Sequence, residues 1–474
     1  MSAPPPSAAS PAPRMVSMYV KPEKIYPRAV SGVFARWRWS MVALTQAIFY
    51  GLPWLGWNGR QAVLFDLDAR RFHVFGLLLH PQDLIFLAGL LVISALALFF
   101  FTAVAGRLWC GYACPQTVYT ELFLWIERHT EGDRQARMRL DQGPWTPAKL
   151  LRKGAKHGAW LLLSLYTGFT FVGYFVPIRE LGGQVARLAL DAWPMFWVVF
   201  YGLATYGNAG WMREQICKTM CPYARFQSTL IDADSLVIAY DPARGEPRGS
   251  RSRKADARAL GLGDCVDCTL CVQVCPTGID IRNGLQNECI GCAACIDACN
   301  QVMTRVGYPQ GLIRYATANG VAQGLTRGQV LRRVGRGRVI AYGLMLIAAV
   351  AVFSLGLALR SPAAMDVIRD RGALARSGPN GEVENVYRVQ VLNRLEKPSR
   401  YRVQASGLDG LQAMPSGDWS VSAGEVRSFT LTLSTPQEAA ASMTPGAHPV
   451  SLQLFDADSG AQVAQERTTF LMPR

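Results

Sequence analysis

A membrane α-helical bundle of five transmembrane helices, a cysteine-rich cytoplasmic α+β domain and a C-terminal all-β sandwich are the architecture this 474-residue sequence predicts. Three observations predict it. Five stretches, roughly 40–58, 84–106, 158–178, 192–212 and 339–359, contain no Asp, Glu, Lys or Arg, and each is near the ~20 residues needed to cross a bilayer. All twelve cysteines fall in short spaced motifs, and none follows residue 299. Beyond residue 360, apolar and polar side chains alternate between Gly, Pro, Asp and Ser turns.

The five spans come first. One charge at the centre of a spanning helix costs ~2.5–3.5 kcal/mol, so five clean runs are strong evidence of membrane insertion. Six Lys or Arg precede the first run and nine lie between the second and third, against five in the two loops on the opposite side. Excess positive charge stays in the cytoplasm. The N-terminus and the segment 213–338 are therefore expected inside, and the C-terminus outside. Residues 1–14, "MSAPPPSAASPAPR", have no apolar core and read as a disordered tail, not a signal peptide. The predicted units are a disordered, basic N-terminus (1–36), a four-helix membrane domain (37–212), a cytoplasmic domain (213–338), a fifth transmembrane helix (339–359) and an exported domain (360–474). The net charge of +15 does not call for nucleic acid, because much of the excess sits in connections such as "RGQVLRRVGRGR", where it fixes topology and meets anionic lipid.

The cytoplasmic segment carries the chemistry. Cys265, Cys268, Cys271 and Cys275 form C-x2-C-x2-C-x3-C before Pro276, and Cys289, Cys292, Cys295 and Cys299 repeat the spacing 24 residues on. Zinc knuckles use two C-x2-C pairs. Three cysteines in one loop and a fourth from the other repeat fit a [4Fe–4S] cube instead. The predicted sets are Cys265, Cys268, Cys271 and Cys299 for one cluster, and Cys289, Cys292, Cys295 and Cys275 for the other. This makes a two-cluster ferredoxin-like α+β domain, with the repeat at about 255–305. Asn300 stands where a second proline is usual, which touches the turn and not the ligand count. Two neighbouring cubes mean one-electron transfer.

The remaining cysteines end the second and fourth runs as "CGYACP" and "CKTMCP", so the membrane half is a parallel repeat of two spans and a C-x3-C-P motif. A helix continuing through each motif puts Cys110 and Cys114, and likewise Cys217 and Cys221, on one face. Pro115 and Pro222 then bend the chain into an interfacial helix. Haem is not expected, since of the five histidines only His157 is near a span's edge. His73 and His80 read as solvated outer-loop residues. No cysteine lies in the exported part, which argues for reduced thiolates rather than disulfides. The tail, with strands such as "VYRVQVLNR", "VRSFTLTLS" and "HPVSLQLFD", suggests a seven-stranded immunoglobulin-like sandwich without catalytic residues, suited to binding a partner.

"KIYPRAVSGVFARWRW", "RLWCGYACPQTVYTE", "ICKTMCPYARFQ", the eight-cysteine repeat and "VIRDRG…VYRVQVLN" together resemble the CcoG family, also called FixG or RdxA, over nearly the whole chain past residue 20. The resemblance implies an accessory protein of cytochrome c oxidase in the bacterial inner membrane, with a periplasmic C-terminal domain. Its implied activity is reduction of cupric to cuprous ion for assembly of a cbb-type oxidase, with assembly proteins or a cuprous-ion acceptor as partners and the electron donor undefined. On this view Cys110, Cys114, Cys217 and Cys221 hold copper as substrate or ligand, because soft thiolates favour cuprous ion. Met212 and Met220 flank the second pair as candidate thioethers. A third cluster, a redox thiol pair or simple packing are the other uses of these four thiols. A quinol-linked relay to another acceptor and a non-redox assembly scaffold are the competing functions.

Overall fold

The computed structural model describes residues 24–252, 259–370, 372, 375–378 and 381–473. The expected disordered stretch 1–14, with Arg14 and Lys21, lies outside them. Helices cover each of the five uncharged runs: α1 (Val33–Gly51), α2 (Leu84–Ala105), α5 (Pro147–Val172), α6 (Ala192–Tyr206) and α9 (Gly337–Ala358). Two, Pro81–Ala105 and Gly337–Ala358, are long and apolar enough to cross a membrane by length and composition. The others depart from simple spans at their ends. α1 starts inside the basic segment with Arg36 and Arg38, α5 carries Lys149, Arg152, Lys153 and Lys156 in its first turns, and α6 passes into π turns at Gly207–Met212 and Ile216–Met220.

Small residues bring the helices together. α5 and α6 cross at Gly168 and Gly202, where a Cβ on Gly168 would stand 2.2 Å from the Val198 carbonyl oxygen. α2 and α9 pack with Gly89 under Phe353 and Gly343 against Phe100. Such close approach is what drives association where both phases are apolar. The outward faces stay apolar and uncovered at Ile85, Leu91, Leu162, Trp193, Ile347 and Val352.

The connection from α1 to α2 folds into an antiparallel meander, β1 (Val63–Asp66), β2 (Arg71–Val74) and β3 (Leu77–Leu79). This corrects the expectation of solvated histidines: His73 is half-buried, and His80 is 4% exposed with its Nε2 3.4 Å from the Gly424 carbonyl. The C-terminal sandwich sits on this meander, a contact between distant segments that local polarity does not encode. Asp83, also buried, accepts from Arg360 at 2.5 Å and lies 3.2 Å from Arg394.

In the cysteine-rich part, β4 (Val237–Tyr240) pairs antiparallel with β5 (Ile313–Ala316) beside α8 (Ala294–Val306). Among the described residues the C-terminal part has eight principal strands, not seven: β6 (Ala363–Arg369), β7 (Val383–Asn393), β8 (Ser399–Ser406), β9 (Gln412–Met414), β10 (Asp418–Val421), β11 (Val426–Thr435), β12 (Gly446–Asp456) and β13 (Gln462–Met472). Sheet β9–β11–β7–β6 faces sheet β10–β8–β12–β13, all antiparallel, over a core of Tyr387, Tyr401, Leu431, Leu452 and Phe470. Tyr387 donates its hydroxyl to the Thr469 carbonyl at 2.8 Å, which satisfies the one polar atom its ring carries into the core.

Candidate functional site

The two cysteine loops are built alike. Between Cys265 and Cys271 the backbone turns left-handed at Asp267 (φ 52°) and Thr269 (φ 56°), and between Cys289 and Cys295 it does so at the matching Gly291 (φ 72°) and Ala293 (φ 59°). Three of these four are not glycine, and each such residue stores ~1–3 kcal/mol of strain. The strain turns successive thiols towards one point. Each third cysteine then sits in a helix: Cys271 in the turn Leu270–Gln273, and Cys295 in α8, which returns Cys299 one turn later.

Cys265, Cys268, Cys271 and Cys299 line one cavity, walled by Leu270, Met303 and Ile313. Cys275, Cys289, Cys292 and Cys295 are mutual electrostatic neighbours in a second group. Burial above all pushes Cys299 and Cys292 up to about 12 and Cys271 and Cys289 up to about 11. Thiols so buried keep their protons until a metal displaces them. Four soft donors around an apolar space, with no carboxylate or histidine in the wall, fit a [4Fe–4S] cube. Among the described residues, no three His, Cys, Asp or Glu side chains close up to the spacing of a one-ion site.

Cys110, Cys114, Cys217 and Cys221, at the ends of the second and fourth apolar runs, form a third group. α2 stops at Gly106 (φ 54°), a short helix α3 (Leu108–Tyr112) carries Cys110, and Cys114 is the N-cap of α4 (Pro115–Glu131). In the second half Cys217 lies in the π turn and Cys221 is the N-cap of α7 (Pro222–Leu230). The expectation of one continuous helix through each pair is therefore corrected. A residue before proline avoids the helical region, so each second cysteine is extended and each proline opens a new helix. The pairs face each other across the repeat without closing to one-ion spacing: the charges that act on Cys110 include Cys114 and Cys217, and those that act on Cys217 include Cys114 and Cys221. Burial pushes Cys110 up to about 12 and Cys217 up to about 11. Met220 is exposed.

This third group adjoins the second. Cys110 and Cys217 pack on a buried apolar cluster of Val274, Ile290, Cys292, Ala294 and Ala298. Gly111 is seated so closely on the Cys289–Cys292 loop that a Cβ there would stand 2.8 Å from the Gly291 carbonyl carbon. Two buried arginines cross the seam. Arg38 donates to the Cys292 carbonyl at 2.7 Å and pairs with Glu121 at 3.3 Å. Arg107 donates to the carbonyls of Asn287 and Ala224. Beneath the pairs, Glu127 joins the halves, accepting from Arg137 on one side and Arg213 on the other, each at 2.6 Å, while Glu131 holds Lys153 and Lys156 at 3.0 Å.

Family models described as "4Fe-4S binding domain" and "4Fe-4S dicluster domain" match residues 87–131 and 212–318, which together contain all twelve cysteines. The model for the "IG-like fold at C-terminal of FixG" matches residues 353–473. Nitrogen fixation protein FixG of Rhizobium meliloti is 39% identical over 426 residues, 82% of this chain and 80% of its own length. Protein RdxA of Cereibacter sphaeroides is 38% identical over 89% of this chain and 91% of its own. The chain belongs to the CcoG/FixG/RdxA family.

As a member of that family it is a membrane-associated iron–sulfur electron-transfer protein of oxidoreductase type. A crystal structure of a FixG-related protein from Vibrio parahaemolyticus aligns with 23% of this family member and 95% of its own chain at 25% identity, with a TM-score of 0.21. What the sequence reading of this FixG-family chain missed is the charged seam. Arg38, Arg107 and Arg137 were counted only as positive charge that fixes topology. The sole signal for Arg107 was its place three residues before Cys110.

Proposed function

We propose that this chain crosses the membrane five times, with its cysteines on the cytoplasmic side and its sandwich in the periplasm, and that it reduces cupric to cuprous ion for assembly of a cbb-type cytochrome c oxidase. Cys265, Cys268, Cys271 and Cys299 would hold one [4Fe–4S] cluster, and Cys275, Cys289, Cys292 and Cys295 a second. When bound, such clusters supply reversible one-electron exchange. Cys110, Cys114, Cys217 and Cys221 receive the copper. One electron per ion completes the reduction, and soft thiolates favour the cuprous product, so holding copper there raises its potential.

One observation carries this reading: Cys110 and Cys217 share a buried apolar cluster with Cys292, and Gly111 touches the Cys289–Cys292 loop. The three cysteine groups therefore run in series from the cytoplasmic domain to the membrane face. A second reading of the last group, a third iron–sulfur cluster, is favoured by the match of residues 87–131 to a model described as 4Fe-4S binding. The experiment is anaerobic purification of the Cys110→Ser, Cys217→Ser double variant. Copper and cupric-reductase activity should be lost with iron unchanged. A fall of about four iron per chain would establish a third cluster instead. No change in copper, iron or activity would overturn both.

A further inference from the structure

Among the described residues, Arg107 is the buried charge beside the cysteine groups that its surroundings do not answer. Its side chain stands at the end of α2, 7% exposed, and donates only to the backbone carbonyls of Asn287 and Ala224. Among the described residues it has no carboxylate partner. A buried cation without a counter-charge is strongly disfavoured. Its Cβ lies 3.6 Å from where a Cβ on Gly291 would stand, and it lines one cavity with Cys289 and Ser228. Cys110 follows it by three residues. The guanidinium is thus wedged between the second and third cysteine groups.

The other cysteine group has no equivalent. At Cys265–Cys271, Arg282 is tied to both Asp280 and Asp267, and Arg244 is tied to Asp264 at 2.5 Å. Arg251 donates to the carbonyls of Gly249, Asp264 and Cys265 without a carboxylate partner, but it is only half-buried, so water screens its charge. On the membrane side Arg38 is matched by Glu121 at 3.3 Å, with the Asp297 carboxylate accepting the amides of Phe34 and Ala35 close by. Among the described residues at the cysteine groups, Arg107 remains as the unmatched buried charge.

We propose that Arg107 is a positioning residue that sets the direction of electron flow: by holding added negative charge on the membrane-side site of Cys275, Cys289, Cys292 and Cys295, it places that site's potential above that of Cys265, Cys268, Cys271 and Cys299. The proposal rests on the two-cluster ligand sets given above. Adding one electron adds one negative charge, and local charge and burial are levers on a cluster's potential. A buried guanidinium acts at full strength where water does not screen it, whereas carboxylate-bound Arg282 has its field cancelled. Electrons that enter at the outer site then settle beside the copper-receiving thiols.

The test is a redox titration of the purified full chain with dithionite as reductant, followed by electron paramagnetic resonance, with iron and sulfide measured on every sample. Arg107→Gln keeps donors for the two carbonyls and removes the charge. It should lower the higher of the two midpoints, leave the lower one in place and narrow their separation by half or more. Arg107→Lys should restore the separation. Ser228→Asp leaves Arg107 intact and puts a carboxylate into the same cavity, so it should reproduce the shift even if Arg107→Gln does not fold. Arg282→Gln should move the other midpoint. Unmoved midpoints in both Arg107→Gln and Ser228→Asp, at full iron content, refute the role of Arg107 alone. Equal losses in the Gln and Lys variants, with no shift in Ser228→Asp, reduce Arg107 to packing and refute it too. Wild-type protein far from about eight iron per chain refutes the ligand sets, and the proposal with them.

Discussion

Replacing Glu127 with Gln removes one negative charge from the brace under the membrane-face cysteines and almost nothing else. Glu127 is buried, with a side chain 3% exposed, and it faces Arg137 (3%), Lys156 (5%) and Arg213 (11%). Two of its contacts are ion-paired hydrogen bonds at 2.6 Å, each worth ~1.5–3 kcal/mol. Breaking a buried pair from one side costs ~3–5 kcal/mol, and the two figures agree. That is a large share of the ~5–15 kcal/mol by which folded domains are stable. Denaturant unfolding in detergent, followed by tryptophan fluorescence, reads it directly, since Trp160 lies under both Lys156 and Arg213. Glu180→Gln, at an exposed position, is the control and should stay within ~0.5 kcal/mol. The pH dependence gives a second readout. Burial alone would raise the Glu127 carboxyl, but Arg213, Arg137 and Lys156 outweigh it and hold it below its ordinary value. A depressed carboxyl contributes in full above its unfolded value, about 4.3, and loses that contribution as pH falls through the lower folded value. Wild-type stability should therefore drop on acidification below that range more than Glu127→Gln does. A loss under ~1 kcal/mol in the variant, or parallel acid profiles, would refute the brace.

Four further outcomes are expected. Cys268→Ser should remove about four iron and four sulfide and leave one cluster signal; loss of all iron, or of none, would break the ligand sets. Gly111→Val, whose side chain meets the Gly291 backbone at 2.8 Å, should keep its iron but slow reoxidation of the reduced protein by cupric ion, measured by stopped flow. Asp83→Ala strands Arg360 and Arg394 and should loosen the sandwich from the meander by ~3–5 kcal/mol, seen as faster proteolysis between Asn58 and His80. A reporter fused after residue 474 should be active only when exported, and one near residue 250 only when cytoplasmic; the reverse pattern would invert the membrane orientation.

Much of the fold was legible because it depends on short-range rules. Period-two alternation marked the strands of the sandwich, and β6 and β9 escaped: β9 has three residues, and in β6 apolar Ala364 and Ile368 stand on the outward face, so its residue types do not alternate although its burial does. The prolines after Cys114 and Cys221 announced a break, because the residue before a proline avoids the helical region whatever surrounds it. What proline could not announce is where the preceding helix ends. α2 stops four residues before Cys110, at Gly106, where a left-handed turn that glycine adopts freely lets the backbone close on the Leu236 carbonyl. α6 loosens into π turns, which are rare and frequent at functional sites, and which no residue pattern specifies.

The charged seam was illegible for a different reason. Lysine and arginine at the ends of apolar runs have a sufficient explanation in topology, so their number carries no further information. Arg28 and Arg107 look alike on that count. Arg28 remains exposed, whereas Arg107 is buried because α3 closes on the Cys289–Cys292 loop, a contact between segments about 180 residues apart. Gly111 and Gly291 permit that closure and meet backbone to backbone, so a side chain at Gly111 would lift α3 and return Arg107 to water. The spacing of cysteines determines which chemistry the chain can hold. These two glycines decide whether the cysteine groups touch, and whether the buried charge of Arg107 lies between them.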